Sequence, residues 1–478
     1  MLDATLIAPQ PLQLLKSTNP ALPGNPGIPS PSPTSTAQAE EQTPQATSTP
    51  VSTPDPGLGV DPGQLTGLTI QFWHPWSGET AQVVQELVDE FNLTNELGIQ
   101  VEMQAPGSLE SLSEEVRAAL PTGKTPDLIA AYLFEAQSLS AYQPLVDLTP
   151  YIEDDNFGLE AGEQADFIPA LWDGDQFNGK RLGVPAIGSG QVLFYNQSWA
   201  EELGFSEPPT TPQELEQQAC QAAQANREDA DPDNDGSGGL ALSTQYSAVL
   251  GWLAGFGGEV YDPAKTQGSQ NPYDFGSKAV EEAFTFLRSL YDRGCAWLPE
   301  EPYPEDAFAS RRALLAVNSL ANLPYQAQVM QRDGSSDRWT VIPFPAADGQ
   351  PAIDVYGPSF EMFSSTLERQ LAAWVFASWL LSTDNQVRLA QASSGFPVRE
   401  SAAQAVNTAQ GISPQLAAAQ DLLQYAHAEP TASSWQTIRW TVSDAATQLF
   451  RSYFTIDQVP ELVKFLDKTV RELHAYPP

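Results

Sequence analysis

Two tryptophans, Trp73 and Trp76, are the first residues whose setting points to binding chemistry. They follow an alternating segment, 68–72, that predicts a β-strand, and they precede apolar residues at helical spacing. Ser77 can cap that helix, so the turn places two indole rings beside backbone N–H groups that lack helical partners. Flat rings beside such donors suit a neutral polar ligand, although both indoles could instead pack between strand and helix.

Motifs of known catalytic sites offer little support for an enzyme. The three histidines, His74, His427 and His474, lie outside any hydrolase or metalloprotease motif, and no phosphate-binding loop occurs. The 60 acidic residues leave open a glycosidase with paired carboxylates. We therefore predict a protein that is not an enzyme, with a glycan-active enzyme as the alternative.

Three aspartates at alternate positions, Asp231, Asp233 and Asp235, are typical of the first half of an EF-hand calcium loop. The twelfth position of that loop is Leu242, where calcium binding requires a bidentate glutamate. A solvated acidic turn explains the pattern as well. We expect no metal and no other cofactor, with calcium at these aspartates as the open alternative.

The two cysteines, Cys220 and Cys295, are too few for a zinc cluster. In an exported protein a lone pair more often forms a disulfide, which is our prediction. Two buried thiols that never meet are the alternative.

The net charge and the length of the chain limit the number of lobes to expect and the kinds of partner that it can bind. The chain has 22 Lys and Arg against 60 Asp and Glu, and its net charge of −38 repels nucleic acid and anionic lipid surfaces. Its 478 residues exceed what one hydrophobic core usually holds, so we expect two lobes. No apolar run reaches the roughly 20 residues of a transmembrane helix.

The patterns of apolar residues place the candidate residues on an α/β framework. Segments 68–72, 99–103 and 127–131 predict strands, and amphipathic helices separate them. This order predicts a parallel sheet with crossover helices. Two segments with Gly and Pro, 178–185 and 356–359, predict crossovers between lobes.

Residues 1–65 differ in composition from the rest, being rich in Pro, Ser, Thr and Gln and free of aromatic residues. Such a segment cannot bury enough apolar surface to offset its ordering entropy, so it predicts a disordered, partly extended spacer. It shows neither a charged and apolar signal pattern nor a cysteine for lipidation. A flexible tail without a targeting role is the alternative.

Six motifs occur in order along the chain: FWHPWSG with LVDEFN, PDLIAAY followed by Glu135, NGKRLGVPA, VLFYNQSWAEELGF with PPTTPQEL, LGWLAGFGG, and AAWVFASWLLS with GFPVR. In order and spacing they resemble the family 1 extracellular solute-binding proteins of ABC transporters, the group that includes maltose-binding protein. The resemblance extends from about Leu68 to Leu466.

The resemblance implies an α/β periplasmic-binding-protein fold of type II, with two lobes that are each discontinuous in sequence and joined by a hinge. The implied divisions are a spacer at 1–65, lobe 1 at 66–172 plus 358–392, and lobe 2 at 173–357 plus 393–478.

The same resemblance implies a function and a location. We expect an extracytoplasmic monomer, tethered to the outer face of the cell membrane, that captures an oligosaccharide and delivers it to ABC permease subunits. A binder of another solute, such as a polyol phosphate or a peptide, stays open.

Matched to the family pattern, the ligand contacts are predicted at Trp73, Trp76, Glu135, Tyr195, Trp252 and Tyr356. We add Trp297 and Tyr325 for their aromatic character. Each of these side chains could instead pack in the core, as aromatic residues of large lobes often do.

Overall fold

The computed structural model describes residues 58–140, 142–177, 179–266, 271–300, 304–347 and 350–476. Most of the predicted spacer and Asn178 of the NGKRLGVPA motif lie outside these residues. Within 58–65, a 3-10 helix at Pro62–Leu65 packs Leu65 into the core.

The secondary structure is mixed. In chain order the strands are β1 (Thr69–Trp73), β2 (Gln100–Gln104), β3 (Leu128–Ala131), β4 (Gln176–Phe177), β5 (Lys180–Arg181), β6 (Val184–Pro185), β7 (Ser189–Asn196), β8 (Gly238–Ala241), β9 (Ala296–Trp297), β10 (Ala313–Ser319), β11 (Trp339–Ile342), β12 (Ile353–Tyr356), β13 (Ser359–Met362) and β14 (Ala426–Ala428). The helices are α1 (Gly78–Thr94), α2 (Leu109–Ala119), α3 (Leu133–Leu139), α4 (Thr149–Ile152), α5 (Ala161–Ala165), α6 (Pro169–Trp172), α7 (Gln197–Glu202), α8 (Pro212–Glu228), α9 (Tyr246–Gly255), α10 (Lys278–Asp292), α11 (Glu305–Ala309), α12 (Leu323–Arg332), α13 (Leu367–Leu380), α14 (Thr383–Ser393), α15 (Glu400–Val406), α16 (Pro414–Gln420), α17 (Trp435–Leu449) and α18 (Val459–Ala475).

The first sheet has the strand order β2-β1-β3-β13-β6. Strand β1 pairs in parallel with β2 and β3, and α1 and α2 connect these strands, so the predicted parallel α/β unit is confirmed. Strand β13 enters this sheet from much later in the chain and runs antiparallel to both β3 and β6.

The second sheet has the order β14-β12-β7-β10-β8-β9, and β11 also pairs with β7. Helix α8 covers it and begins with a capping box between Thr211 and Glu214. A disulfide joins Cys220 of α8 to Cys295, directly before β9, and ties the helix to this edge of the sheet.

Over the described residues the chain passes between the two sheets three times, once through the long segment 363–425 from β13 to β14 and twice at adjacent places. Strands β6 and β7 belong to different sheets, as do β12 and β13, so the links are residues 186–188 and 357–358. The first crossover was predicted at 178–185 and lies just after it, because β6 still pairs with β13. A Cβ atom on Gly357 would lie 2.1 Å from the carbonyl oxygen of Ile187, so the close approach of the two links requires glycine.

The two sheets and their covering helices form a two-lobed α/β fold, as predicted. Over the residues that the structure describes, no helix combines the length and the apolar composition needed to cross a membrane.

Candidate functional site

A cleft lies beside the two links, where β3 and β12 end and β13 begins. It consists of two adjoining pockets of about 350 and about 50 Å³. Both pockets are lined by Ala170, Gly174, Ala428, Glu429, Pro430 and Thr431. The carboxyl ends of strands are the usual place for ligands in open α/β folds, so this cleft is the candidate binding site.

Aromatic rings form one wall of the smaller pocket. Tyr132 and Phe134 follow β3, and their rings stack with centroids 5.3 Å apart and an angle of 8° between the planes. Tyr356 lies at the end of β12, with its hydroxyl 2.9 Å from Oγ of Ser319. Such flat apolar faces with polar rims can stack on a ligand ring.

An arginine from α17 lies beside this aromatic wall. A guanidinium nitrogen of Arg439 lies 3.7 Å from Oε1 of Glu135 on α3, and both side chains are nearly buried. The guanidinium also lies over the rings of Phe134, Trp440 and Tyr246, at 4.7, 5.1 and 5.5 Å from their centroids. Burial raises the pKa of Glu135, and Arg439 acts in the opposite direction. The pair therefore connects α3, next to the first sheet, with α17.

Two carboxyl groups, Asp354 on β12 and Glu429 after β14, lie side by side in the cleft. Burial, together with the charge of Glu429, raises the pKa of Asp354 well above its usual value. Burial likewise raises the pKa of Glu429 to about 7, although Trp435 donates its Nε1–H to Oε2 of Glu429 at 3.1 Å. Two carboxylates this close cannot both ionise without a compensating cation.

A second acidic group lies at the other end of the cleft. Ser359 donates its hydroxyl to Oδ1 of Asp175 at 2.7 Å, whereas Oδ2 of Asp175 has no hydrogen-bond partner in the described part of the protein. Burial raises the pKa of Asp175 to about 6. Glu361 lies nearby on β13, fully buried, and its pKa is raised by burial and by the charges of Asp175 and Glu135.

The described lining of the cleft carries several acidic side chains and no lysine or arginine. The acidic residues are Asp173, Asp175, Glu259, Asp354 and Glu429. His427 also lines the larger pocket. The electrostatics of this lining disfavour an anionic ligand and favour a neutral or cationic one.

Only part of the predicted ligand set lies at this cleft. Tyr356 lines the cleft. Glu135 lies beside the cleft, where it faces Arg439. Tyr195 and Trp252 lie in the core instead, where Tyr195 donates its hydroxyl to Gln218 at 2.8 Å and Trp252 packs on a phenylalanine, so the structure gives no support to their predicted ligand contacts. Strand β7 directs Tyr195, and helix α9 directs Trp252, toward the interior of the protein, where each ring fills space in the hydrophobic core.

The other four predicted aromatic residues lie elsewhere. Trp73 lines a separate pocket with Lys124. Trp76 is half-buried, with its ring 5.0 Å from that of His74, and Trp297 is half-buried at the end of β9. Tyr325 is 50% exposed on α12. A binding role for these four stays a prediction.

Six residues at or beside the cleft were not predicted from the sequence, namely Tyr132, Phe134, Asp175, Asp354, Glu429 and Arg439. The position of Tyr132 and Phe134 directly after a buried strand is a signal that could have identified them. The acidic residues offered no comparable signal, because their burial depends on neighbours from distant segments.

The three aspartates of the half EF-hand pattern form a local turn. Asp231 accepts a hydrogen bond from the backbone N–H of Asp233 at 3.1 Å. Among the described residues, no group of three or more His, Cys, Asp or Glu side chains could hold a metal ion, so these aspartates do not converge. That the protein needs no cofactor stays a prediction.

The raised pKa of Glu429 leads to a prediction about stability and pH. Glu429→Gln is expected to raise the free energy of unfolding by about 2 kcal/mol near pH 8 and to change it little near pH 4. In the unfolded chain this carboxyl ionises at its usual pKa of 4.5, whereas in the folded protein it keeps its proton to about pH 7. The wild type therefore loses stability as the pH rises from 4.5 to about 7. The glutamine variant does not lose it, because its amide group does not titrate. The half-buried position of Glu429 lets water screen part of the effect.

Urea unfolding of both proteins across this pH range measures the difference. Glu96→Gln, at an exposed loop position, is the matched control and should show no such trend. A difference between Glu429→Gln and wild type that is the same at every pH would contradict the assigned pKa.

Comparison with known proteins shows the family of this chain. Residues 86–421 match the model of a family described as bacterial extracellular solute-binding proteins. The sn-glycerol-3-phosphate-binding periplasmic protein UgpB of Salmonella paratyphi A is 27% identical over 155 residues, which are 32% of this chain and 34% of that protein. The Shigella dysenteriae protein of the same name is 29% identical over 169 residues, 33% and 36% of the two chains. The matches therefore span about a third of these relatives.

Solved structures with the same fold cover most of the chain. The cyclic alpha-maltosyl-1,6-maltose binding protein of Arthrobacter globiformis has a TM-score of 0.70 at 20% identity, over 85% of this chain and 99% of that one. The sugar-binding protein MalE of Xanthomonas citri also gives 0.70, at 21% identity and 85% and 97% coverage. UgpB of Mycobacterium tuberculosis, solved with glycerophosphocholine, gives 0.67 at 17% identity and 85% and 99% coverage. At such identities the likeness shows the fold.

Proposed function

Because this chain belongs to the bacterial extracellular solute-binding protein family, we propose that it captures a carbohydrate in the cleft and delivers it to an ABC importer. The observation that carries this proposal is the lining of the cleft, where stacked rings and carboxyl groups adjoin and no lysine or arginine lines the described wall. Rings stack on the C–H faces of a sugar, and carboxylates accept hydrogen bonds from its hydroxyls.

The proposal includes a hinge, partners and a location. Lobe 1 comprises residues 66–172 plus 358–392, and lobe 2 comprises residues 173–357 plus 393–478. A ligand that contacts both lobes favours the closed form. The protein acts outside the cytoplasm as a monomer, residues 1–65 tether it to the membrane surface, and ABC permease subunits receive the ligand. It binds without catalysing a reaction.

A phosphodiester or phosphate monoester of glycerol is the second candidate, because the names of several relatives refer to such ligands. An anionic phosphate in this cleft would face Asp175 and Glu429, and it would have to draw Arg439 away from Glu135. The charges of the lining therefore favour the carbohydrate.

A thermal-shift screen tests the two candidates. Residues 58–478 are heated with mono- and oligosaccharides, with sn-glycerol-3-phosphate and with glycerophosphocholine. A ligand of the folded state stabilises by RT ln(1 + [L]/Kd), so a ligand of micromolar affinity is visible at millimolar concentration. A shift with sugars alone, and no product by chromatography, supports the proposal. A shift with the glycerol phosphates alone refutes it, and consumption of a sugar indicates an enzyme.

The stacked rings give a prediction for the sugar identified by that screen. Tyr132→Ala is expected to weaken its binding by about 1 kcal/mol, since one aromatic platform is lost. Isothermal titration calorimetry measures the affinity. Tyr476→Ala, which removes an 82% exposed ring far along the chain, is the control and should leave affinity unchanged. Equal affinities of wild type and Tyr132→Ala would exclude stacking on this ring.

A further inference from the structure

We infer that the saccharide bound in the cleft carries a protonated amine, and that Asp175, Asp354 and Glu429 recognise it. This inference rests on the proposed function and narrows its substrate class. It goes beyond ring stacking, because it assigns a charge to the ligand.

Two buried carboxyl groups at the cleft are incompletely satisfied by the protein. Asp175 is 4% exposed and lines the smaller pocket, and Asp354 is 1% exposed and lines the larger one. Oδ2 of Asp175 has no hydrogen-bond partner among the described residues, and Asp354 has Glu429 as a hydrogen-bond partner only while one of the two carboxyl groups keeps its proton. A buried acceptor without a donor is costly, so a ligand that brings N–H or O–H groups to this end of the cleft would satisfy Asp175.

Charge balance decides between these donors. Glu429 lines both pockets and lies against Asp354, so three carboxyl groups adjoin the same space. Two arginines lie near the cleft without lining its described wall. Arg439 already faces Glu135 and lies over aromatic rings, and Arg181, which lies over the ring of Trp172, acts on the charge of Asp175. At least one of Asp354 and Glu429 therefore has to keep its proton in the empty cleft, and a positive charge from the ligand would let both ionise.

An ammonium group supplies what the cleft lacks. It offers three N–H donors and one positive charge, whereas a hydroxyl offers one donor and no charge. Charge-assisted hydrogen bonds to carboxylates are also stronger than neutral ones. The rings of Tyr132 and Tyr356 at the same wall can add a cation–π attraction.

Matched pairs of sugars test the inference. Glucosamine, galactosamine, mannosamine and chitotriose are each compared with the neutral counterpart, namely glucose, galactose, mannose and cellotriose, by calorimetry at neutral pH and low salt. Each pair keeps the ring and the linkage and differs only at the C2 substituent. The amine is expected to bind about tenfold tighter in at least one pair, with the preference shrinking as salt is added.

The outcomes separate this inference from the proposed function. If a neutral sugar binds and its amine counterpart binds no tighter in every pair, the ligand is a carbohydrate and the amine inference is wrong. If no sugar of either kind binds, both are wrong.

Variants test the assigned residues. Asp175→Asn and Asp354→Asn are each expected to reduce the ratio of amine to neutral affinity by about tenfold, whatever their effect on the neutral sugar alone. The ratio is measured on one folded protein, so a general loss of stability does not imitate the effect. Glu96→Gln removes one exposed charge and should leave the ratio unchanged. An unchanged ratio in both asparagine variants would overturn the assignment.

Discussion

Replacing Cys220 and Cys295 together by alanine is expected to lower the free energy of unfolding by about 4 kcal/mol. The disulfide joins residues separated by 75 positions, so it removes many extended conformations from the unfolded chain. It also ties α8 to the edge of the second sheet, where Cys295 is buried. Urea unfolding followed by circular dichroism measures the change.

The reduced wild type is the matched control for this variant. Adding a reductant should bring the unfolding midpoint of the wild type close to that of the double variant, which should not respond. If oxidised wild type and double variant unfold at the same midpoint, the bond contributes no stability.

Trp252→Ala is expected to lower the free energy of unfolding by about 4 kcal/mol and to leave the affinity for ligand unchanged. Trp252 is 1% exposed in α9, and its ring packs on Phe344 at 4.9 Å between centroids. Removing the indole leaves a cavity that the surrounding sheet and helices can fill only in part.

Urea unfolding and calorimetry on the same variant separate its two possible roles. Phe465→Ala removes a ring that is 67% exposed and should change stability by less than about 0.5 kcal/mol. If Trp252→Ala were as stable as the wild type but bound the ligand about tenfold more weakly, Trp252 would contact the ligand and not only the core.

The predictions from local pattern agree with the structure where a single segment contains all the information. Alternation at 68–72 and helical spacing after it specify β1 and α1, because these periods reflect backbone geometry that one segment adopts by itself. The capping box at Thr211 is local in the same way. The predicted N-cap Ser77 lies at its position, yet its side chain makes no capping hydrogen bond.

The candidate site could not be predicted from local patterns, because its residues come from separate segments. Phe134 follows β3, Asp354 belongs to β12, Glu429 follows β14 and Arg439 belongs to α17. No local pattern relates these positions. The three crossings of the chain between the sheets bring them to one cleft, and burial then raises the pKa of Glu429 and Asp354.

By itself, the sequence determined the α/β class, the parallel first unit, the need for two lobes and the resemblance to solute-binding proteins. These properties follow from periodicity, length and ordered motifs. Which aromatic rings line the cleft depends on the tertiary structure. Tyr195 and Tyr356 are chemically identical, yet one fills the core and the other lines the cleft. Burial is a property of the surrounding chain, so residue type cannot specify it.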